Sequence, residues 1–93
     1  MEIAMIAAKR WTVDVFIDEH DGRTYAEARL HAEDSAHLVG TAEARLHPSD
    51  RDVPEIGDEL AVARALSDLG HQLLVTAAAD IEAVSDRSVH LSR

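Results

Sequence analysis

The pair Asp21-Gly22 sits between two segments that alternate apolar and polar residues, and it restricts the fold more tightly than any other part of the chain. Both central positions of a type I′ hairpin turn need φ > 0, which Asp-Gly accepts at low steric cost. Before the turn, Trp11, Val13, Val15 and Ile17 alternate with Thr12, Asp14, Phe16 and Asp18. After it, Thr24, Ala26, Ala28 and Leu30 alternate with Arg23, Tyr25, Glu27, Arg29 and His31. A period of two marks strands with distinct faces. A two-residue loop pairs His20 with Arg23, which puts Ile17 opposite Ala26, Val15 opposite Ala28 and Val13 opposite Leu30. On the other face Asp14 meets Arg29, an opposite-charge pair that favours this register. A slip of one residue would break every pair.

A third alternation sets Leu38, Gly40, Ala42, Ala44 and Leu46 against His37, Val39, Thr41, Glu43, Arg45 and His47. Keeping its apolar set on the face of strand two requires an odd loop. Glu33-Asp34-Ser35 supplies it, pairing Leu30 with Leu38. The shared face is mostly Ala and Gly, so a bulky element must lie close over it. The six residues Ala26–His31 recur unchanged as Ala42–His47, as expected of two strands that meet one helix with the same small residues.

That helix is predicted next. Asp52 and Glu55 have capping-box spacing, and Pro54 suits a first turn. Ile56, Leu60, Ala63, Leu66, Gly70, Leu73, Leu74, Ala77, Ile81 and Val84 recur at steps of mostly three and four, an apolar stripe expected to face the sheet. Gly57, Asp58, Arg64, Asp68, His71, Gln72, Glu82 and Asp86 fall on the opposite half, and Glu59 leans into the stripe as Asp80 does. Gly70 mid-helix is read as a point of close approach to the sheet, and near Ala79-Asp80 the pattern leaves open whether the helix runs on or restarts with Asp80 as a cap. The expectation is a single α+β domain over residues 1–93: a three-stranded antiparallel sheet in β-β-β-α order, strands at about 10–19, 23–32 and 36–47, with one long C-terminal helix at about 53–84 packed on one face. Trp11, Leu30, Leu38 and Leu46 are expected to fill the margins of that contact.

Composition narrows the function. Nine Lys and Arg stand against eighteen Asp and Glu, a net charge of −9 spread along the chain. No segment is basic enough for a nucleic-acid footprint or an anionic-membrane anchor. With no cysteine, disulfides, thiol catalysis and Cys-ligated metals are out. No apolar run approaches the ~18 residues of a membrane span, and Lys9 and Arg10 follow rather than precede the opening apolar stretch, unlike a secretory signal. A cytoplasmic setting is expected.

Trp11–Val15, Ile17–Thr24, Ala28-Arg29-Leu30, Ile56–Ala61, Ala63–Leu69 and Asp80–Ala83 resemble a small uncharacterised actinobacterial family with a double-stranded-RNA-binding-domain-like fold. The likeness spans nearly the whole chain, with Ile56–Leu69 its most specific part. It implies a fold and no activity. Domains of that fold grip duplex RNA through a basic first helical turn, whereas Glu55, Asp58 and Glu59 here, with Asp50 and Asp52 before them, would repel phosphate.

Candidate sites are few. His31 lies opposite His37 in the proposed register, with Glu33 or Asp34 as a third metal ligand; the alternative is two solvated histidines, and no metal or other cofactor is assigned. His20 and His71 read as exposed. The Asp50–Glu59 carboxylates lack calcium-loop spacing and suit a helix N-terminus. Nucleophile and phosphate-loop signatures are absent, so no enzyme is expected. The outer sheet face is the most informative surface, since one helix leaves it uncovered. Phe16, Tyr25, Arg29, Val39 and Arg45 are its candidate interaction residues, aromatics and Arg being enriched at interfaces. The expected partner is a second copy or another protein, through this face or a strand edge. Nucleic-acid or nucleotide binding, with Phe16 and Tyr25 as stacking platforms, is the alternative, and no membrane partner is expected.

Overall fold

The structure, a computed structural model, describes residues 8–33, 37–45 and 53–91, with side chains up to residue 85. Strand β1 spans Thr12–His20, β2 Arg23–His31 and β3 Val39–Arg45, followed by helix α1 over Pro54–Leu91. The sheet is antiparallel in the order β1-β2-β3. Asp21 and Gly22 both take positive φ, 51° and 73°, so the turn has the conformation that their chemistry favours. Both registers are those required by the apolar pattern: Val13 pairs with Leu30, Val15 with Ala28 and Ile17 with Ala26, while Ala28 pairs with Gly40 and Ala26 with Ala42. The Leu30 amide donates to the Leu38 carbonyl at 3.0 Å, carrying the ladder beyond β3. Leu46, His47 and Asp52, the expected helix cap, lie outside the described residues.

Helix α1 begins at Pro54, where a missing N–H costs nothing, and the Ile56 amide donates to the Val53 carbonyl at 3.0 Å. It continues through Asp80 to Leu91 without a break, which settles the alternative the pattern left open. Ala79, Asp80 and the residues around them are exposed, so no packing there demands a bend, and most residues between Thr76 and Ala83 are compatible with helix. At ~1.5 Å per residue the helix is ~57 Å long, against ~31 Å for the nine-residue strands. Its second half therefore outruns the sheet. From Ala77 to Ser85 every side chain is exposed. The radius of gyration, 19.0 Å, exceeds the ~12 Å of a compact chain this long.

The face that α1 turns to the sheet is not the expected one. Ile56, Leu60, Ala63, Leu66, Leu74, Ala77, Ile81 and Val84 are exposed. Ala61, Ala65 and Leu69 are buried with Gly57, Asp68 and Gln72 partly buried beside them, so the row at i, i+4, i+8 meets the sheet. The reason is spacing. The core is Ala26, Ala28, Leu30 and Ala44 on the sheet against Ala61, Ala65 and Leu69 on the helix, and a surface of alanines admits a second one only at short range. Gly40 marks the closest point: a Cβ there would strike the Ala65 carbonyl oxygen and lie 2.5 Å from the Leu69 amide nitrogen. Gly70, by contrast, has nothing within 4 Å of the position a Cβ would take, so the close approach belongs to the sheet glycine and not the helix one.

The helix lies over β2 and β3 and barely reaches β1. Val13, Val15 and Ile17 point to the helix side of the sheet and remain 40%, 40% and 46% exposed. Trp11 is exposed too, whereas Leu30 is buried and Leu38 partly so. The expectation that the helix roofs all three strands therefore fails at β1. A single helix ~10 Å wide covers about two strands spaced ~4.8 Å apart.

Candidate interaction surface

The two edges of the sheet differ. Because Leu30 bonds to Leu38 across β2 and β3, the even residues of β2 direct their backbone groups to β3 and the odd ones to β1. The registers then leave the odd residues of β3 and of β1 facing outward. On β3 the helix takes one group on each of three successive outward residues. Arg64 Nη1 donates to the Glu43 carbonyl at 3.3 Å, the Thr41 amide donates to Asp68 Oδ2 at 2.9 Å, and Gln72 Nε2 donates to the Val39 carbonyl at 2.8 Å. Gln72 also braces Asp68 at 3.2 Å. Four helical residues rise ~6.0 Å and two strand residues ~6.8 Å, so an i, i+4, i+8 row matches alternate strand positions running the other way. Helical periodicity alone puts Arg64, Asp68 and Gln72 on the solvated half of the helix; their spacing was the available signal of an edge-capping role.

On β1 no helix side chain caps the outward backbone of Val13, Val15 or Ile17 among the described residues. All nine of its residues are exposed. The side chains of Arg64 and Asp68 turn toward β3, which places Val62, Leu66 and Leu73 on the flank of the helix nearer β1. Val62 and Leu73 still pack against the core.

On the outer face, Phe16, Tyr25 and Arg29 form one connected group. The Arg29 guanidinium sits 5.0 Å from the Phe16 ring centroid, within cation–π range, and its Nε donates to Glu27 Oε2 at 2.9 Å. The Tyr25 hydroxyl donates to Glu27 Oε1 at 3.0 Å. The Arg29 bond, then the Tyr25 bond, hold the Glu27 carboxyl below its ordinary 4.5. The same Glu27 bond, with some desolvation and the carboxylate charge, raises the Tyr25 phenol above 10.0. Val39 adjoins Arg29 as its register partner. Arg45 is separate: it stands at the far end of β3, opposite Arg23, with Glu43 3.7 Å away. Arg29 pairs with Asp14 in register as expected, but its charge goes to Glu27, and Asp14 instead holds His31 Nε2 at 2.9 Å.

His31 is thus engaged with a carboxylate rather than with His37. Among the described residues no three His, Asp or Glu side chains converge on a common point; Asp34 lies outside them. Arg29, His31, His37 and Val39 border an open hollow of about 420 Å³ at the loop end of β2 and β3. His20 lies 3.3 Å from Asp21, both largely solvated, and His71 is exposed. No described helix is long and apolar enough to cross a membrane.

A three-stranded antiparallel sheet with one long C-terminal helix defines a small α+β protein. The chain belongs to the Rv2632c-like family, whose model matches residues 9–90. It is 57% identical over 83 residues to the uncharacterised protein Mb1767 of Mycobacterium bovis, covering 89% of this chain and 87% of that one. It is 51% identical over 81 residues to the uncharacterised protein Rv2632c of Mycobacterium tuberculosis, covering 87% and 86%. The crystal structure of Rv2632c superposes with a TM-score of 0.76 at 51% identity, over 84% of this chain and 92% of that one. The resemblance to a small uncharacterised actinobacterial family is thus matched by a family with uncharacterised mycobacterial members.

Proposed function

We propose that the protein is a non-catalytic, acidic, cytoplasmic module that acts through protein–protein contacts, including contacts with itself. The observation that carries this reading is the large apolar surface left open on both sides of β1 and along α1: Val13, Val15 and Ile17 on one face, Phe16 at 54% exposure on the other, and Leu74 and Ile81 at 70% and 66% on the helix. Surfaces of this kind, rimmed by charge, mark interaction sites. Phe16, Tyr25, Arg29, Val39 and Arg45 belong to the contact surface, with Arg29 held over the Phe16 ring as an anchor of the type that dominates interfaces. The double-stranded-RNA-binding-domain-like arrangement serves here as a scaffold. Its first helical turn carries Glu55, Asp58 and Glu59, which oppose phosphate.

The test is quantitative co-purification from native cells, read by mass spectrometry, with wild type and the Phe16→Ala/Tyr25→Ala variant. Protein partners held by wild type and lost by the variant are expected. A labelled RNA shifted by wild type at low salt, with steep salt dependence, would replace this reading with the nucleic-acid alternative.

A further inference from the structure

Resting on the protein-contact reading, we infer that the partner of β1 is β1 of a second copy, joined edge to edge into a closed, two-fold antiparallel dimer. Each chain has two sheet edges. The helix occupies one of them, through Arg64, Asp68 and Gln72 on Glu43, Thr41 and Val39. The other, β1, is an exposed nine-residue strand without proline, with the backbone groups of Val13, Val15 and Ile17 directed outward. An unprotected edge of this length is a template for another strand. With one open edge per chain among the described residues, growth is also limited. Pairing two copies consumes both open edges and leaves only capped ones, so the assembly ends as a six-stranded sheet with both helices on one face. A two-fold contact must be self-complementary, and β1 satisfies that condition.

The side chains choose the register. With Val15 opposite Val15 on the two-fold axis, Val13 of each copy faces Ile17 of the other, giving three apolar pairs on the helix side. On the outer face Asp14 meets Phe16 and Asp18 meets Thr12, so no carboxylate faces another. Moving the axis to Phe16 sets Asp14 against Asp18 twice; moving it to Asp14 sets Asp14 against itself. Moving it to Ile17 puts Glu19 opposite Val15 and leaves one apolar pair, and moving it to Val13 leaves one within the strand, since Val15 then faces Trp11, which precedes β1. Like charges directly opposite are destabilising, which matters in a chain of net charge −9.

The natural chain has no cysteine, so single introduced thiols read this register directly. In a hydrogen-bonded antiparallel pair the Cα atoms lie ~5.5 Å apart, inside the disulfide range of ~4.4–6.8 Å. Wild type should scatter light as twice 10.2 kDa. Val15→Cys should then form an intermolecular disulfide under mild oxidation. Val13→Cys or Ile17→Cys alone should not, because their like positions lie about 14 Å apart, but an equal mixture of the two should. A chain that stays monomeric at every accessible concentration overturns the dimer and leaves the protein-contact reading to the co-purification test. A dimer in which Val15→Cys fails to bridge, or Val13→Cys bridges with itself, overturns the edge pairing while leaving self-association through another surface.

Discussion

The Thr41 amide donates to the Asp68 carboxylate across 2.9 Å, so a charged helical residue terminates a β-sheet. Asp68 is the middle member of a row in which Arg64 and Gln72 serve the neighbouring carbonyls. Each bond is exposed and contributes about 1 kcal/mol. Their joint effect is larger than their energy suggests, because together they remove β3 as a site of strand addition. The triple variant Arg64→Ala/Asp68→Ala/Gln72→Ala should keep its fold and associate, with increasing concentration, into species larger than a dimer by analytical ultracentrifugation. A variant that stays at the wild-type size would show that the row does not protect the edge.

Two glycine substitutions should move stability in opposite directions. Gly40→Ala drives a methyl into the Ala65 carbonyl and the Leu69 amide. Backbone on both sides cannot move away, and the expected loss is roughly 3 kcal/mol. Gly70→Ala meets nothing within 4 Å and restricts the unfolded chain, for a gain of about 0.5–1 kcal/mol. Urea unfolding of both variants measures the contrast, and a destabilising Gly70→Ala would contradict the placement of α1.

The outer-face bonds should appear in the titration of the protein's single tyrosine. Tyr25 has a folded pKa above 10.0, so its contribution is present below that value and fades as the pH rises through the folded pKa. Glu27 has a folded pKa below 4.5; its contribution is present above 4.5 and fades as the pH falls through the folded value. Absorbance near 295 nm should show phenol ionisation above pH 10 in wild type, moving down toward the ordinary value in Glu27→Ala. An identical midpoint in the two proteins would refute the Tyr25–Glu27 bond in solution.

The projecting half of the helix should be the least protected part of it. Side chains from Ala77 to Ser85 are all exposed, and an isolated helix of about 15 residues is marginal in water. Amide hydrogen exchange of the monomer should be slow from Ala61 to Gln72 and orders of magnitude faster beyond Ala77. Equal protection along the whole helix would mean that the projecting half is covered in solution.

Strand positions, the hairpin turn and both registers were legible in the sequence because they rest on local rules: φ > 0 at Asp21-Gly22 and side chains that alternate with period two. The Phe16–Tyr25–Arg29 group was legible for the same reason, since register alone makes those residues neighbours. The helix's existence was equally clear, but its rotation was not. Two rows compete on α1, a row of large apolar residues through Ile56, Leu60 and Leu66 and a row of small ones through Gly57, Ala61 and Ala65. Hydrophobicity favours the first. Packing against an alanine-lined sheet, with Gly40 at the point of contact, selects the second, and the unpaired backbone of β3 draws Arg64, Asp68 and Gln72 toward it. Neither depends on residues close in sequence, so only the assembled structure decides which strands are covered and leaves β1 open.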